Sequence, residues 1–219
     1  MPTALIAGAS GLVGRHLLDL LLAAPEYDRV VSLGRRKLEV AHPKLEQLVV
    51  DFAALDQALA GVRCDDVYCC LGTTIRQAGS RENFRAVDHA AVLALGWAAQ
   101  RQGARRLFLV SALGADLHSR VFYNRVKGEM QAAVSAIGYE SVVIAQPSLL
   151  MGDRAALGQP VRSGEVWATR LFTPVMWMVP KGVRPIQASA VASAMLAALL
   201  AAKPGLRFLS SAQMQARPR

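Results

Sequence analysis

Residues 3–24 read TALIAGASGLVGRHLLDLLLAA. Thr3–Ala7 is a short apolar run without polar alternation, the pattern of a strand buried on both faces. Gly8, Gly11 and Gly14 follow as G-x-x-G-x-x-G, and Val13, Leu17, Leu20 and Leu21 then recur with a helical period until Pro25. A strand, a glycine turn and a helix in that order suit the pyrophosphate of a dinucleotide. The first glycine permits the tight turn, the second lets the backbone approach the ligand, and the third lets the helix pack closely. Amides at the helix start lack intrahelical acceptors and lie at the positive end of the helix dipole. Gly8, Ser10, Gly11, Leu12, Val13 and Gly14 therefore form an anion-receptive group. Glycine triplets also arise by chance, and a bare tight turn is the competing reading. The flanking strand and helix favour the dinucleotide.

The second strand, Arg29–Leu33, decides which dinucleotide. An acidic residue about 20 positions beyond such a turn takes the ribose hydroxyls of NAD. Here the chain reads Leu33-Gly34-Arg35-Arg36, with no carboxylate at 33 through 38. Arg35 and Arg36 offer guanidinium forks suited to a 2′-phosphate, so NADP(H) is expected over NAD. Asp51 and Phe52, at the end of a third strand (Leu45–Val50), are expected beside the adenine, with Asp51 accepting from its amino group or from a backbone donor.

Further strands are expected at Asp66–Leu71, Arg106–Val110, Ser141–Ala145 and Leu206–Leu209. Helices are expected at Phe52–Ala60, 81–102, 119–137 and Ala188–Ala201. The inward stripe of the 81–102 helix reads as Phe84, Val87, Ala91, Leu95 and Ala98. Short apolar strands alternating with helices give an α/β, doubly wound, three-layer parallel sheet, Rossmann-like in its organisation. One domain over 1–215 is expected, with a dinucleotide-binding core at 1–150 and a small substrate-side annex at 151–210. Within the annex a short helix at 160–168 and an apolar segment, Leu171–Pro180, stand out. The last residues read as a loose polar tail. The apolar helix at 188–201 must pack on the sheet or on a second subunit, and monomer and homodimer both remain open.

The composition narrows the function classes. With 219 residues and 53% hydrophobic content, a core forms without metals or disulfides. Cys64, Cys69 and Cys70 are odd in number, and no C-x-x-C pair occurs, which argues against a disulfide scaffold or a zinc site. Cys69 and Cys70 read as small core residues of a buried strand. The net charge of +9 is dispersed, so no specific nucleic-acid partner is expected. No apolar run is long enough to span a membrane. The N-terminus lacks the basic lead of a secretory signal, and the cytoplasm is the expected location.

Tyr123 and Lys127 stand at i and i+4, on one face of a helix. A phenol beside a carbonyl oxygen can donate a proton or, in reverse, remove one from an alcohol. An adjacent ammonium favours its ionised form. A plain snorkelling pair at a helix edge is the alternative.

Taken together, GASGLVG at 8–14, LGRR at 33–36, LGTT at 71–74, SALGAD at 111–116, YNRVKGE at 123–129, QPSLLMG at 146–152 and RPIQASAVASAM at 184–195 resemble the short-chain dehydrogenase/reductase superfamily. Within it the chain is similar to the atypical branch of HIV Tat-interactive oxidoreductase-like proteins and bacterial epimerase-like relatives. The resemblance implies that Leu71, Gly72, Thr73 and Thr74 touch the adenosine ribose and pyrophosphate. It implies that Tyr123 is the acid/base, that Lys127 holds the nicotinamide ribose, and that Pro147 and Ser148 flank the carboxamide. Ser111 is the candidate to orient the substrate oxygen, with Ser119 read as a helix cap. Asp88 stands where many relatives carry an asparagine that organises a relay water.

These readings point to an NADP(H)-dependent oxidoreductase acting on a small carbonyl or alcohol substrate. A non-catalytic NADP(H)-binding regulator and a nucleotide-sugar epimerase or dehydratase are the alternatives.

Overall fold

The computed structural model describes residues 2–152, 180, 182–201 and 203–216. The expected helix at 160–168 and the apolar segment up to residue 179 lie outside the described residues.

Nine strands are described: β1 (Thr3–Ala7), β2 (Arg29–Gly34), β3 (Leu45–Val49), β4 (Asp66–Cys69), β5 (Arg106–Val110), β6 (Ser141–Gln146), β7 (Leu150–Met151), β8 (Ile186–Gln187) and β9 (Gly205–Ser210). The helices are α1 (Leu12–Ala23), α2 (Leu55–Ala58), α3 (Ile75–Ala78), α4 (Arg81–Arg85), α5 (Ala91–Arg101), α6 (Phe122–Ser135), α7 (Ala188–Leu200) and α8 (Ser211–Met214). A seven-stranded sheet runs β3-β2-β1-β4-β5-β6-β9, with every neighbouring pair parallel. This is the three-layer, doubly wound architecture expected from the sequence. Strand order reverses beside β1, which pairs with both β2 and β4. In such sheets the ligand crevice opens at the carboxyl ends of the strands at that reversal.

The central strands β1, β4, β5 and β6 are largely buried because both faces are covered, while the edge strands β3 and β9 carry Glu46, Gln47 and Arg207 and are more open. Ala4 and Ile6 of β1 join Leu17, Leu18 and Leu21 of α1 and Val191, Ala192 and Met195 of α7. Leu5 and Ala7, pointing the other way, join Leu55 of α2, Val92 and Leu95 of α5, and Met130 and Val134 of α6. Each such large aliphatic side chain contributes roughly 1.5–3 kcal/mol on burial. The apolar faces of α1 and α7 therefore meet within the chain itself.

Several boundaries differ from expectation, each for a local reason. β4 ends at Cys69; Cys70 then leaves the strand, its N–H bonded to the Ala7 carbonyl at 2.8 Å. Asp51 accepts from the Ala53 N–H at 2.9 Å and forms a turn, so the helix expected from Phe52 begins only at Leu55. α6 begins at Phe122, because Ser119 spends its hydroxyl on the Val121 N–H at 3.1 Å, ahead of the helix. The helix expected over 81–102 is interrupted by a π turn at Ala86–Ala90. Its extra residue advances the inward-facing set, so Asp88 and Val92 are buried where Val87 and Ala91 were expected.

The small C-terminal annex is built into the main body. β7 and β8 form a separate two-stranded pair, while β9 extends the main sheet beside β6. The tail is not loose through residue 214: Ser210 and Gln213 form a reciprocal capping box that starts α8, and Met214 is buried.

Candidate functional site

The glycine turn joins β1 to α1 at the strand-order reversal. Gly8 has φ +85°, and a methyl group built on it would stand 2.5 Å from the Cys70 carbonyl oxygen. One built on Gly14 would stand 2.1 Å from the Gly8 carbonyl oxygen. No other residue fits either place unless the backbone moves. Gly11 precedes α1, its N–H bonded to Gly8 at 2.9 Å, and no side chain caps the helix start. The first-turn amides are thus left for an anion, and Ser10 is exposed at the tip of the turn. The residues present fit a dinucleotide pyrophosphate.

The neighbouring strand ends complete the rim. Leu33 lies in register with Ala7, which brings Arg35 and Arg36 just beyond the level of Gly8; both are exposed. Val50 bonds to the Gly34 carbonyl at 2.9 Å, which carries Asp51 and Phe52 to the same end of the sheet. Asp51 is exposed with its carboxylate on a backbone donor, and Phe52 is half-buried against the core. On the other side of β1, Cys70 leads into Leu71–Thr74. Thr74 caps α3 by accepting from the Gln77 N–H at 3.1 Å.

α6 carries Tyr123 and Lys127 on one face, as expected. Tyr123 is half-buried, its ring 5.4 Å from that of Phe84. Lys127 is only 3% exposed. Its ammonium lies 2.8 Å from one carboxylate oxygen of fully buried Asp88. The other oxygen of Asp88 accepts from the Thr73 N–H at 2.8 Å. Burial by itself would push the ammonium down; the Asp88 carboxylate, with Tyr123, outweighs it and holds Lys127 above the usual lysine range.

Ser111 directly follows β5 and is buried. Its Oγ accepts from Gln131 Nε2 at 2.5 Å, and Gln131 Oε1 accepts from Gln146 at 3.3 Å. Gln131 stands two turns along α6 from Tyr123. Pro147 is buried, and its carbonyl accepts from the Leu113 N–H at 2.8 Å. Ser148 donates to the Arg184 carbonyl and shares a hydrogen bond of 2.9 Å with Ser211, so its hydroxyl ties the annex to the end of β6.

The fold thus brings the glycine turn, Arg35 and Arg36, Asp51 and Phe52, and Leu71–Thr74 to one end of the sheet. It links Tyr123 and Lys127 to that rim through Asp88. The sequence marked Asp88 only through the resemblance, at the position of a relay asparagine, and did not mark Gln131 or Phe84 as site residues. The series 123, 127, 131 at four-residue spacing was a signal for Gln131. Cys69 is buried on β4, and burial pushes its thiol up to about 11. Among the described residues, no group of His, Cys, Asp or Glu is arranged to hold a metal ion, and no helix is long and apolar enough to cross a membrane.

Comparison with known proteins agrees with this geometry. A family described as NAD(P)H-binding matches residues 8–149. Protein HTATIP2 of Rattus norvegicus is 39% identical over 171 residues, covering 76% of this chain and 68% of that protein. The mitochondrial protein FMP52 of Eremothecium gossypii is 35% identical over 153 residues, covering 69% and 67%. Among solved structures, MoeE5 in complex with UDP-glucose and NAD superposes with a TM-score of 0.69 at 16% identity, covering 94% of this chain and 75% of that one. A UDP-glucose 4-epimerase from Thermotoga maritima with UDP-glucose gives 0.70 at 13% identity, covering 95% and 76%. The fold is that of NAD(P)-dependent short-chain dehydrogenase and epimerase-type enzymes. The cytoplasmic location expected from the N-terminus is overturned by the relatives: FMP52 proteins from several fungi are mitochondrial by name.

Proposed function

The chain belongs to the NAD(P)H-binding family, related to HTATIP2 and FMP52, and from that premise we propose that it is an NADP(H)-using enzyme acting at a carbonyl or alcohol carbon, with Tyr123 as its acid/base. The observation that carries this reading is the buried, charged Lys127 one helical turn from Tyr123, beside the loop that continues the dinucleotide rim.

Gly8, Ser10, Gly11, Leu12, Val13 and Gly14 would surround the pyrophosphate. Arg35 and Arg36 would take the 2′-phosphate, and Asp51 and Phe52 would border the adenine. Leu71–Thr74 would follow the ribose, and Pro147 and Ser148 would flank the carboxamide. When bound, the nicotinamide supplies hydride exchange with carbon. The chain's own part is proton handling and orientation. Tyr123 gives a proton to the substrate oxygen or takes one from it. Lys127 keeps positive charge next to the phenol and offers donors to a ribose. Ser111, held by Gln131 as acceptor, keeps its own O–H free to orient the substrate oxygen.

Two substrate classes fit. The solved neighbours, one of them bound to UDP-glucose and NAD, favour nucleotide-sugar epimerisation or dehydration. The other class is a small carbonyl or alcohol, since the Tyr123–Lys127 pair asks only for an oxygen to protonate. Titrating purified protein with NADPH and NADH by fluorescence tests the cofactor. A following panel of UDP-sugars, aldehydes, ketones and quinones, repeated with Tyr123→Phe, tests the chemistry. Turnover that survives Tyr123→Phe undiminished would remove Tyr123 from the mechanism. NADPH uptake without turnover on the whole panel would support a binding regulator.

A further inference from the structure

We propose that Asp88 is a positioning residue, a buried counter-charge that keeps Lys127 ionised and clamps it to the loop after β4. One carboxylate does both. Oδ1 lies 2.8 Å from Lys127 Nζ, and Oδ2 accepts from the Thr73 N–H at 2.8 Å. Asp88 is fully buried and Lys127 nearly so, which places the pair beyond the screening of solvent. The backbone lies directly over it: a methyl group built on Gly72 would stand 3.5 Å from Asp88 Oδ1 and 3.9 Å from Lys127 Nζ. The π turn at Ala86–Ala90 is the local device that buries Asp88 at this spot. A π turn inside a longer helix is a common mark of a functional position.

An asparagine would fill the same volume and could still accept from Thr73. It could not balance the ammonium. The ionisable groups facing that ammonium are Asp88 from the π turn, Tyr123 from its own helix and Cys69 from β4. The Cys69 thiol stays protonated at neutral pH because burial raises it. Asp88 is therefore the only carboxylate among them, and without it desolvation acts on Lys127 unopposed. A second consequence rests on the functional reading above. A dinucleotide seated on Leu71–Thr74 contacts the same loop that Asp88 fastens to Lys127. Cofactor seating and alignment of the acid/base pair are then mechanically one event.

The test uses the full chain with lysines labelled at 13Cε, with the Lys127 resonance assigned by its loss in Lys127→Arg. In the unaltered protein Lys127 should remain protonated above the usual lysine range. In Asp88→Asn its titration should fall below that range, by about two pH units or more. Titration of Lys127 within the usual lysine range in both proteins would overturn the proposal. The unaltered protein supplies a second reading should the variant fold poorly. Saturation with NADP+ should perturb the Lys127 Cε line and slow exchange of the Thr73 amide over one and the same binding curve. Movement of only one of the two would overturn the clamp. Failure of NADP+ to bind at all would count against the functional reading, while the Lys127 titration would still decide the role of Asp88.

Discussion

Gln131 Nε2 donates to Ser111 Oγ at 2.5 Å, inside the core and on the same face of α6 as Tyr123 and Lys127. The bond sets the direction of both groups. A serine that accepts from a buried amide has its own hydrogen left to give, and the oxygen of that amide accepts from Gln146 at 3.3 Å. Ser111 is thus part of a polar chain that the packing depends on, whatever else its hydroxyl does.

Ser111→Ala should therefore cost stability even without substrate. It strands a buried amide donor, a loss of about 1–3 kcal/mol. Urea denaturation measures it. Replacing Gln131 with Leu as well should recover part of the loss, because the stranded donor disappears with its partner. A single Ser111→Ala variant as stable as the unaltered chain would show that the amide finds another acceptor.

Gly14→Ala sets two effects against each other. Alanine inside a helix gains about 1 kcal/mol over glycine from propensity. Here its methyl would meet the Gly8 carbonyl oxygen at 2.1 Å, a clash with backbone on both sides. Overpacking of that kind costs about 1–3 kcal/mol, so the net change should be destabilising. NADPH binding should be lost by more than stability is, since the turn itself must open. Denaturation midpoints and a fluorescence titration on the same sample separate the two.

Arg35→Asp should weaken NADPH much more than NADH. A charge-assisted hydrogen bond to phosphate is worth about 1.5–3 kcal/mol, and the aspartate adds repulsion. A loss of tenfold or more in NADPH affinity is expected, with NADH little changed. Arg35 is exposed, so the effect should shrink as salt is raised. Equal losses for both dinucleotides would remove the 2′-phosphate from Arg35.

The cysteines give a pH-dependent expectation. Burial pushes Cys69 to about 11 and Cys64 to about 12. In the unfolded chain both ionise nearer the ordinary thiol value. The folded state holds these protons more tightly, so their contribution is complete below about pH 8.5. It is lost as pH rises from there through 11 to 12. Urea midpoints should fall between pH 8 and pH 10.5, and less steeply in Cys69→Ala. At pH 8 Cys64 and Cys69 of the native protein should resist a thiol reagent that labels them at once in the urea-unfolded chain.

The family and the fold were legible because their signals are local. Gly8, Gly11 and Gly14 sit within a short stretch of chain, the central strands are short, mainly apolar runs, and Arg35 and Arg36 follow directly on β2. Tyr123 and Lys127 were legible for the same reason, since four-residue spacing on a helix fixes a shared face. Asp88 was not. Its role depends on a π turn that no periodicity announces and on contacts from two other elements, Thr73 after β4 and Lys127 on α6. The hydrogen bond of Ser148 with Ser211, 63 residues away, was likewise not legible.

The sequence alone determined that this is a parallel α/β protein with a dinucleotide turn, because backbone conformation and apolar patterning are set by neighbours in the chain. Only the tertiary structure decided which buried polar groups are partners: Asp88 with Lys127 and Thr73, and Ser111 with Gln131. A polar group taken out of water bonds to whatever the packing brings within three ångströms, and the packing is decided by residues far apart in sequence.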